Sequence, residues 1–67
     1  MPGANINSVD INGMTPLILA TSLEKIEIVR LLLDAGANRN IQDKEGKIAL
    51  DYAVLSDHDG LISLLED

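Results

Sequence analysis

The sequence has no cysteine, no tryptophan and no phenylalanine, and Tyr52 is its only aromatic residue. Without cysteine there is no disulfide and no thiolate–zinc site to hold a short chain together. The absence is compatible with a reducing compartment. Without large aromatics, the core has to be assembled from Leu, Ile, Val and Ala, which suits thin layers of close-packed helices. Basic residues are also scarce: five Lys and Arg face eleven Asp and Glu, for a formal net charge of −6. The stretch 51–67 carries Asp51, Asp57, Asp59, Glu66 and Asp67 with no Lys or Arg. Phosphate backbones and anionic membranes both call for a basic face, so the expectation is no nucleic acid and no membrane partner. No apolar run approaches the roughly 20 residues of a membrane span. Met1-Pro2-Gly3 has neither the basic nor the apolar region of a signal peptide, and no Asn-x-Ser/Thr acceptor occurs. The expected location is intracellular, in the cytoplasm.

A chain of 67 residues buries only about 60% of the surface its unfolded form exposes, so its stability is expected to be marginal. What the sequence does have is self-similarity. Gly3-Ala4-Asn5-Ile6-Asn7 returns as Gly36-Ala37-Asn38-Arg39-Asn40, an offset of 33 residues. Asp10 returns as Asp43, Gly13 as Gly46, Leu17 as Leu50 and Ala20 as Ala53. Leu31-Leu32 returns as Leu64-Leu65, and Asp34 as Asp67. One offset accounting for matches along the whole chain is a much stronger signal than any short motif.

Local chemistry gives each unit its form. Asp10-Ile11-Asn12-Gly13 reads as a turn, because Asn-Gly tolerates positive φ. Thr15 is placed to cap a helix with its hydroxyl, and Pro16 suits the first helical position, where no N–H bond is lost. Leu17, Ala20 and Leu19 supply the packing face of a helix ending near Ser22. A second helix is expected from about Lys25 to Ala35, stopped by Gly36 in a left-handed conformation. Ala37 to Gln42 then extends as one arm of a hairpin. Ile26, Ile28, Val29, Leu31, Leu32 and Leu33 cover most of that second helix, so it is expected to be covered on several sides. The later copy is written differently. Asp59, Ser63 and Glu66 stand at the positions of Ile26, Arg30 and Leu33, while Leu61, Ile62, Leu64 and Leu65 keep one apolar stripe. Such a unit reads as a cap whose outer face meets water. Glu66 and Asp67 oppose a helix C-terminal dipole, so the last turn is expected to fray.

A 33-residue period with Thr15-Pro16-Leu17 and then Ala20 resembles the ankyrin repeat, a turn followed by two antiparallel helices. The resemblance covers nearly the whole chain. It implies an all-α solenoid of helix-turn-helix units joined by β-hairpin-like connections, within a single domain 1–67. Residues 3–9 resemble the tail of a preceding repeat, 10–42 a full repeat, and 43–67 a C-terminal capping repeat. Several positions depart from the family pattern. Ile48-Ala49 replaces Thr-Pro, Ile18 and Asp51 stand where a His is usual, and Glu24 and Asp57 replace the glycine between helices. His58 takes the place of the His that follows that glycine, which implies a loop-ordering role. Fewer than three repeats leave the upstream face of the first full one apolar and open, so association of copies through this face is one expectation.

No chemistry of catalysis assembles. His58 beside Asp57 and Asp59 lacks a nucleophile and a pocket. Asp57, Asp59 and Glu66 fit three positions of a calcium loop around Gly60, but the first position would be Leu55, which cannot ligate. Asp57 or Asp59 is better read as a helix N-cap. No glycine-rich phosphate loop or paired-carboxylate cleft occurs, so no enzyme activity, cofactor or metal is expected. The resemblance instead implies a protein partner, bound by the hairpin tips and the exposed side of the first helix of each repeat. The matching positions are Ile11, Asn12, Met14, Ser22, Leu23 and Gln42, then Lys44, Glu45, Lys47, Leu55 and Ser56. Ile11, Met14 and Leu23 are apolar where the scaffold does not need them for its core, so they read as anchors within a polar rim. The alternative functions are a self-associating structural unit, or a regulatory module cut from a larger enzyme or effector.

Overall fold

A computed structural model describes residues 5–66. Gly3 and Ala4 of the expected repeat tail, and Asp67 of the expected frayed end, lie outside the described residues. Four helices follow one another: α1 Pro16–Ser22, α2 Ile26–Asp34, α3 Ala49–Leu55 and α4 Asp59–Leu65. The described residues include no strand. Helix α1 packs on α2 and α3 on α4, and the two pairs stack so that α1 meets α3 and α2 meets α4. One layer is therefore α1 and α3, the other α2 and α4.

Three of the four helix starts, those of α1, α3 and α4, are set by a side chain. Thr15 Oγ1 accepts from the Ile18 N–H at 3.2 Å, and Pro16 follows at the first helical position. Ile48, at the same place in the later unit, has no hydroxyl to offer. There the bond runs backwards: the Ile48 N–H donates to Asp51 Oδ2 at 2.9 Å. At α4 the cap is neither Asp57 nor Asp59, as expected, but His58, whose Nδ1 accepts from the Leu61 N–H at 3.2 Å. The reason is backbone geometry, because Asp57 is left-handed (φ 54°) and Asp59 already lies inside the helix.

Helices α1, α2 and α3 stop in the same way. In each, two successive N–H groups fold back onto the last turn, Glu24 to Thr21 O and Lys25 to Ala20 O in α1. Gly36 and Ala37 do the same onto Leu33 O and Leu32 O, and Asp57 and His58 onto Val54 O and Ala53 O. This pairing needs a left-handed residue. Gly36 supplies it freely, whereas Glu24 (φ 59°) and Asp57 adopt it with a side chain present. Helix α4 ends differently. Its last turn is held by Arg39, whose guanidinium donates to Leu65 O at 3.4 Å and Glu66 O at 3.3 Å. A cation at a helix C-terminus offsets the dipole that the acidic end opposes.

The core is Leu17, Ile18, Ala20, Val29, Ala49, Ala53, Leu61 and Leu65, with buried Thr15 and Thr21 among them. Thr21 satisfies its hydroxyl on Leu17 O at 2.7 Å. Small Ala49 and Ala53 let α3 approach α1 closely. Three expectations are corrected here. Leu19 is exposed, and buried Ile18 takes its place in the packing face, because at 100° per residue Leu17, Ile18, Ala20 and Thr21 share one side of the helix and Leu19 falls on the other. Met14 packs against the core instead of standing free of it. Helix α2 is not covered on several sides: Ile28 and Leu31 are exposed, since α1 and α4 cover only part of it.

Candidate protein-interaction surface

The connections between units are built on aspartate. Asp10 Oδ1 accepts from the Asn12 and Met14 N–H groups, both at 2.9 Å, and the Asp10 N–H donates to Met14 O at 3.1 Å. Thirty-three residues later Asp43 repeats the arrangement, with Oδ1 accepting from Glu45 at 2.9 Å and Lys47 at 3.0 Å. A carboxylate that takes two backbone N–H groups fixes a tight turn without any β ladder. The hairpin-like connections are thus side-chain-closed turns. They stack directly, since the Lys44 N–H donates to Asn12 O at 3.1 Å and the Asn38 N–H to Asn7 Oδ1 at 2.8 Å. Gly13 permits this approach. It has φ 77°, and a Cβ there would lie 3.0 Å from the Lys44 nitrogen.

Asp43 has one partner that Asp10 lacks. The Tyr52 hydroxyl donates to its other carboxylate oxygen. That hydrogen bond is the main reason the Asp43 carboxyl is held below its ordinary value, with the Lys47 N–H bond next. The same bond, aided by partial desolvation, pushes Tyr52 up to about 12. Lys47 Nζ lies 5.7 Å from the centre of the Tyr52 ring and pairs with Glu45 at 3.2 Å. Asn12, Met14, Asp43, Lys44, Glu45 and Tyr52 together line a groove of about 360 Å³.

Of the residues singled out in the sequence, Asn12, Met14, Lys44 and Glu45 converge on this groove, with Lys47 against its tyrosine. Ile11 lies beside it on the turn and is 83% exposed. Gln42 is exposed just before Asp43. Ser22, Leu23, Leu55 and Ser56 form a second group at the far ends of α1 and α3. A seven-residue helix spans about 10 Å, and that length separates the two groups. In this second group Leu23 is 65% and Leu55 68% exposed. Ser22 turns its hydroxyl onto its own helix, to Leu19 O at 2.9 Å. The sequence reading missed Asp43 and Tyr52. The signals that point to them are the repetition of Asp10 as Asp43 and the uniqueness of Tyr52. The calcium-loop spacing does not become a loop: Asp57 ends α3, and Asp59 and Gly60 open α4.

A family model described as ankyrin repeats (3 copies) matches residues 1–67. The chain belongs to the ankyrin-repeat family. Ankyrin repeats generally mediate protein–protein interaction. Human Rabankyrin-5 is 44% identical over 66 residues, covering 96% of this chain and 6% of that protein. The Drosophila melanogaster neurogenic locus Notch protein is 39% identical over 64 residues, covering 94% of this chain and 2% of its own length. Mouse DNA-binding protein RFXANK is 50% identical over 48 residues, covering 72% of the chain and 18% of that protein. The ankyrin chain therefore spans a small part of the relatives it matches. None of its described helices is long and apolar enough to cross a membrane.

Proposed function

We propose that this ankyrin-repeat chain is a non-enzymatic module that binds a protein partner along the turn tips and the exposed side of α1 and α3. The observation that carries this reading is the exposure of Ile11, Leu23 and Leu55 on the same strip as the groove at Asn12, Lys44 and Tyr52. Exposed apolar side chains within a rigid polar frame supply the anchors of an interface, and the frame supplies the rim. Repeat units over 10–42 and 43–67, with a tail at 3–9, give the strip its two-fold register. The net charge of −6 disfavours a phosphate backbone, which supports a protein partner over nucleic acid.

The test is the double substitution Ile11→Glu with Leu23→Glu. Met14 is avoided because it packs against the core. The expected result is loss of a partner recovered by the unaltered chain, with helicity by circular dichroism unchanged. Retention of the partner by the folded double variant would overturn the reading. A second reading has one observation in its favour. Exposed Ile28 and Leu31 on α2 form an apolar face suited to association of copies. Light scattering over a range of concentration distinguishes a monomer from such an assembly.

A further inference from the structure

We infer that the partner segment is basic and amphipathic, and that it docks at the helix-turn end of the strip, with apolar side chains on Leu23 and Leu55 and cations beside Glu24 and Asp57. This rests on the protein-binding reading and gives it a chemistry. The inference comes from comparing the carboxylates at the two ends of α1 and α3. At the turn-tip end they are already engaged. Asp10 holds two backbone N–H groups, Asp43 holds two more and the Tyr52 hydroxyl, and Glu45 pairs with Lys47. At the opposite end Glu24 and Asp57 are exposed, and among the described residues neither makes an ion pair. Lys25 is the only cation nearby in sequence, and 51–66 contains none.

The backbone that carries these two carboxylates is fixed in place. Each sits at the left-handed residue of a helix stop, with φ 59° at Glu24 and 54° at Asp57, and each backbone N–H is bonded into the preceding helix. Leu23 directly precedes Glu24, and Leu55 lies two residues before Asp57. Leu23 and Leu55 thus each stand next to an exposed carboxylate at the ends of two adjacent helices. Packed helix axes lie about 8–10 Å apart. A partner helix presents side chains at i and i+7 about 10 Å apart, which matches that spacing. Charge complementarity selects Lys or Arg on its flanks and repels an acidic segment.

The experiment titrates the isotopically labelled chain with a short helical peptide of Leu and Lys, Leu on one face, and with the same peptide carrying Glu for Lys. Amide shifts locate binding. The Lys peptide is expected to shift Leu23, Glu24, Leu55, Ser56 and Asp57 and to weaken as salt rises, while the Glu peptide leaves them unmoved. Glu24→Gln with Asp57→Asn, both on the surface, is expected to weaken the Lys peptide by about 3- to 10-fold at low salt. Equal binding of both peptides, unchanged affinity in the neutralised variant, no binding of either, or shifts confined to Ile28 and Leu31 would each overturn the inference. Shifts at Ile11, Asn12 and Lys44 would also overturn it, yet leave the broader protein-binding reading standing. That broader reading fails separately, through the Ile11→Glu and Leu23→Glu test.

Discussion

Ile28 and Leu61 occupy the same place in the 33-residue period, one on α2 and one on α4. Leu61 is 0% exposed and Ile28 is 48% exposed. Both are large and aliphatic, and each lies in the first turn of its helix. The difference is the neighbour: α4 starts against α2, where Ile26 comes close to Gly60, whereas the Ile28 side of α2 is left half-exposed among the described residues. The comparison teaches that burial in a stacked repeat is conferred by the adjacent unit, not by the residue itself. A sequence pattern can mark both positions as apolar without telling them apart.

The largest expected effect tests this contrast. Leu61→Ala removes a fully buried side chain and leaves a cavity, so a loss of about 2–5 kcal/mol is expected. In so small a chain that is enough to unfold most molecules. Ile28→Ala, at the half-exposed position, is expected to cost about 1 kcal/mol or less. Urea unfolding of both variants measures the gap. If Ile28→Ala costs as much as Leu61→Ala, the α2 face is covered in solution, and the contrast between the two pairs disappears.

A second comparison concerns the turns between helices, where Glu24 and Asp57 hold the same left-handed geometry. A side chain in that region costs about 1–2 kcal/mol against a relaxed backbone, and aspartate tolerates it better than glutamate through local hydrogen bonding. Glu24→Gly is therefore expected to stabilise the chain by about 1 kcal/mol, after the added freedom of glycine in the unfolded state is deducted. Asp57→Gly is expected to gain less. Thermal unfolding ranks the two, and a larger gain at Asp57 would show that strain at these turns is not set by side-chain type.

Much of this architecture was legible in the sequence. Thr15, Pro16 and Gly36 act through their own backbone, so their roles could be read directly. The helix bounds near Ser22 and between Lys25 and Ala35 followed from them. What could not be read depends on partners brought together by folding. His58 caps α4 because Asp57 is committed to ending α3. Asp51 reaches back to Ile48 where a hydroxyl is missing. Arg39 crosses to α4 from a position where the earlier copy has Ile6. The same limit applies to the candidate surface. The repeat register placed Asn12, Lys44 and Glu45 on one strip, but Tyr52 joined them only through its bond to Asp43.

That bond gives the last comparison its probe, because Tyr52 is the only tyrosine. Its folded value of about 12 lies above the ordinary 10.0, so folding favours the neutral phenol. The stabilisation it contributes is complete below pH 10 and is lost as pH rises through about 12. Asp43 works in the opposite sense. Its value is lowered from 3.8, so its contribution is present above that pH and is lost as pH falls through the depressed folded value. Ultraviolet absorbance should place the phenol titration near 12 in the unaltered chain and closer to 10 in Asp43→Asn. Tyr52→Phe should erase the alkaline loss of stability between those values. In the earlier unit Leu19 stands at the position of Tyr52, and Asp10 at that of Asp43. Leu19→Tyr should therefore build the missing bond and give a second phenol that also titrates above 10. If that second tyrosine titrates at its ordinary value, the two turns differ in backbone geometry as well as in side chain, and their equivalence does not extend to the groove.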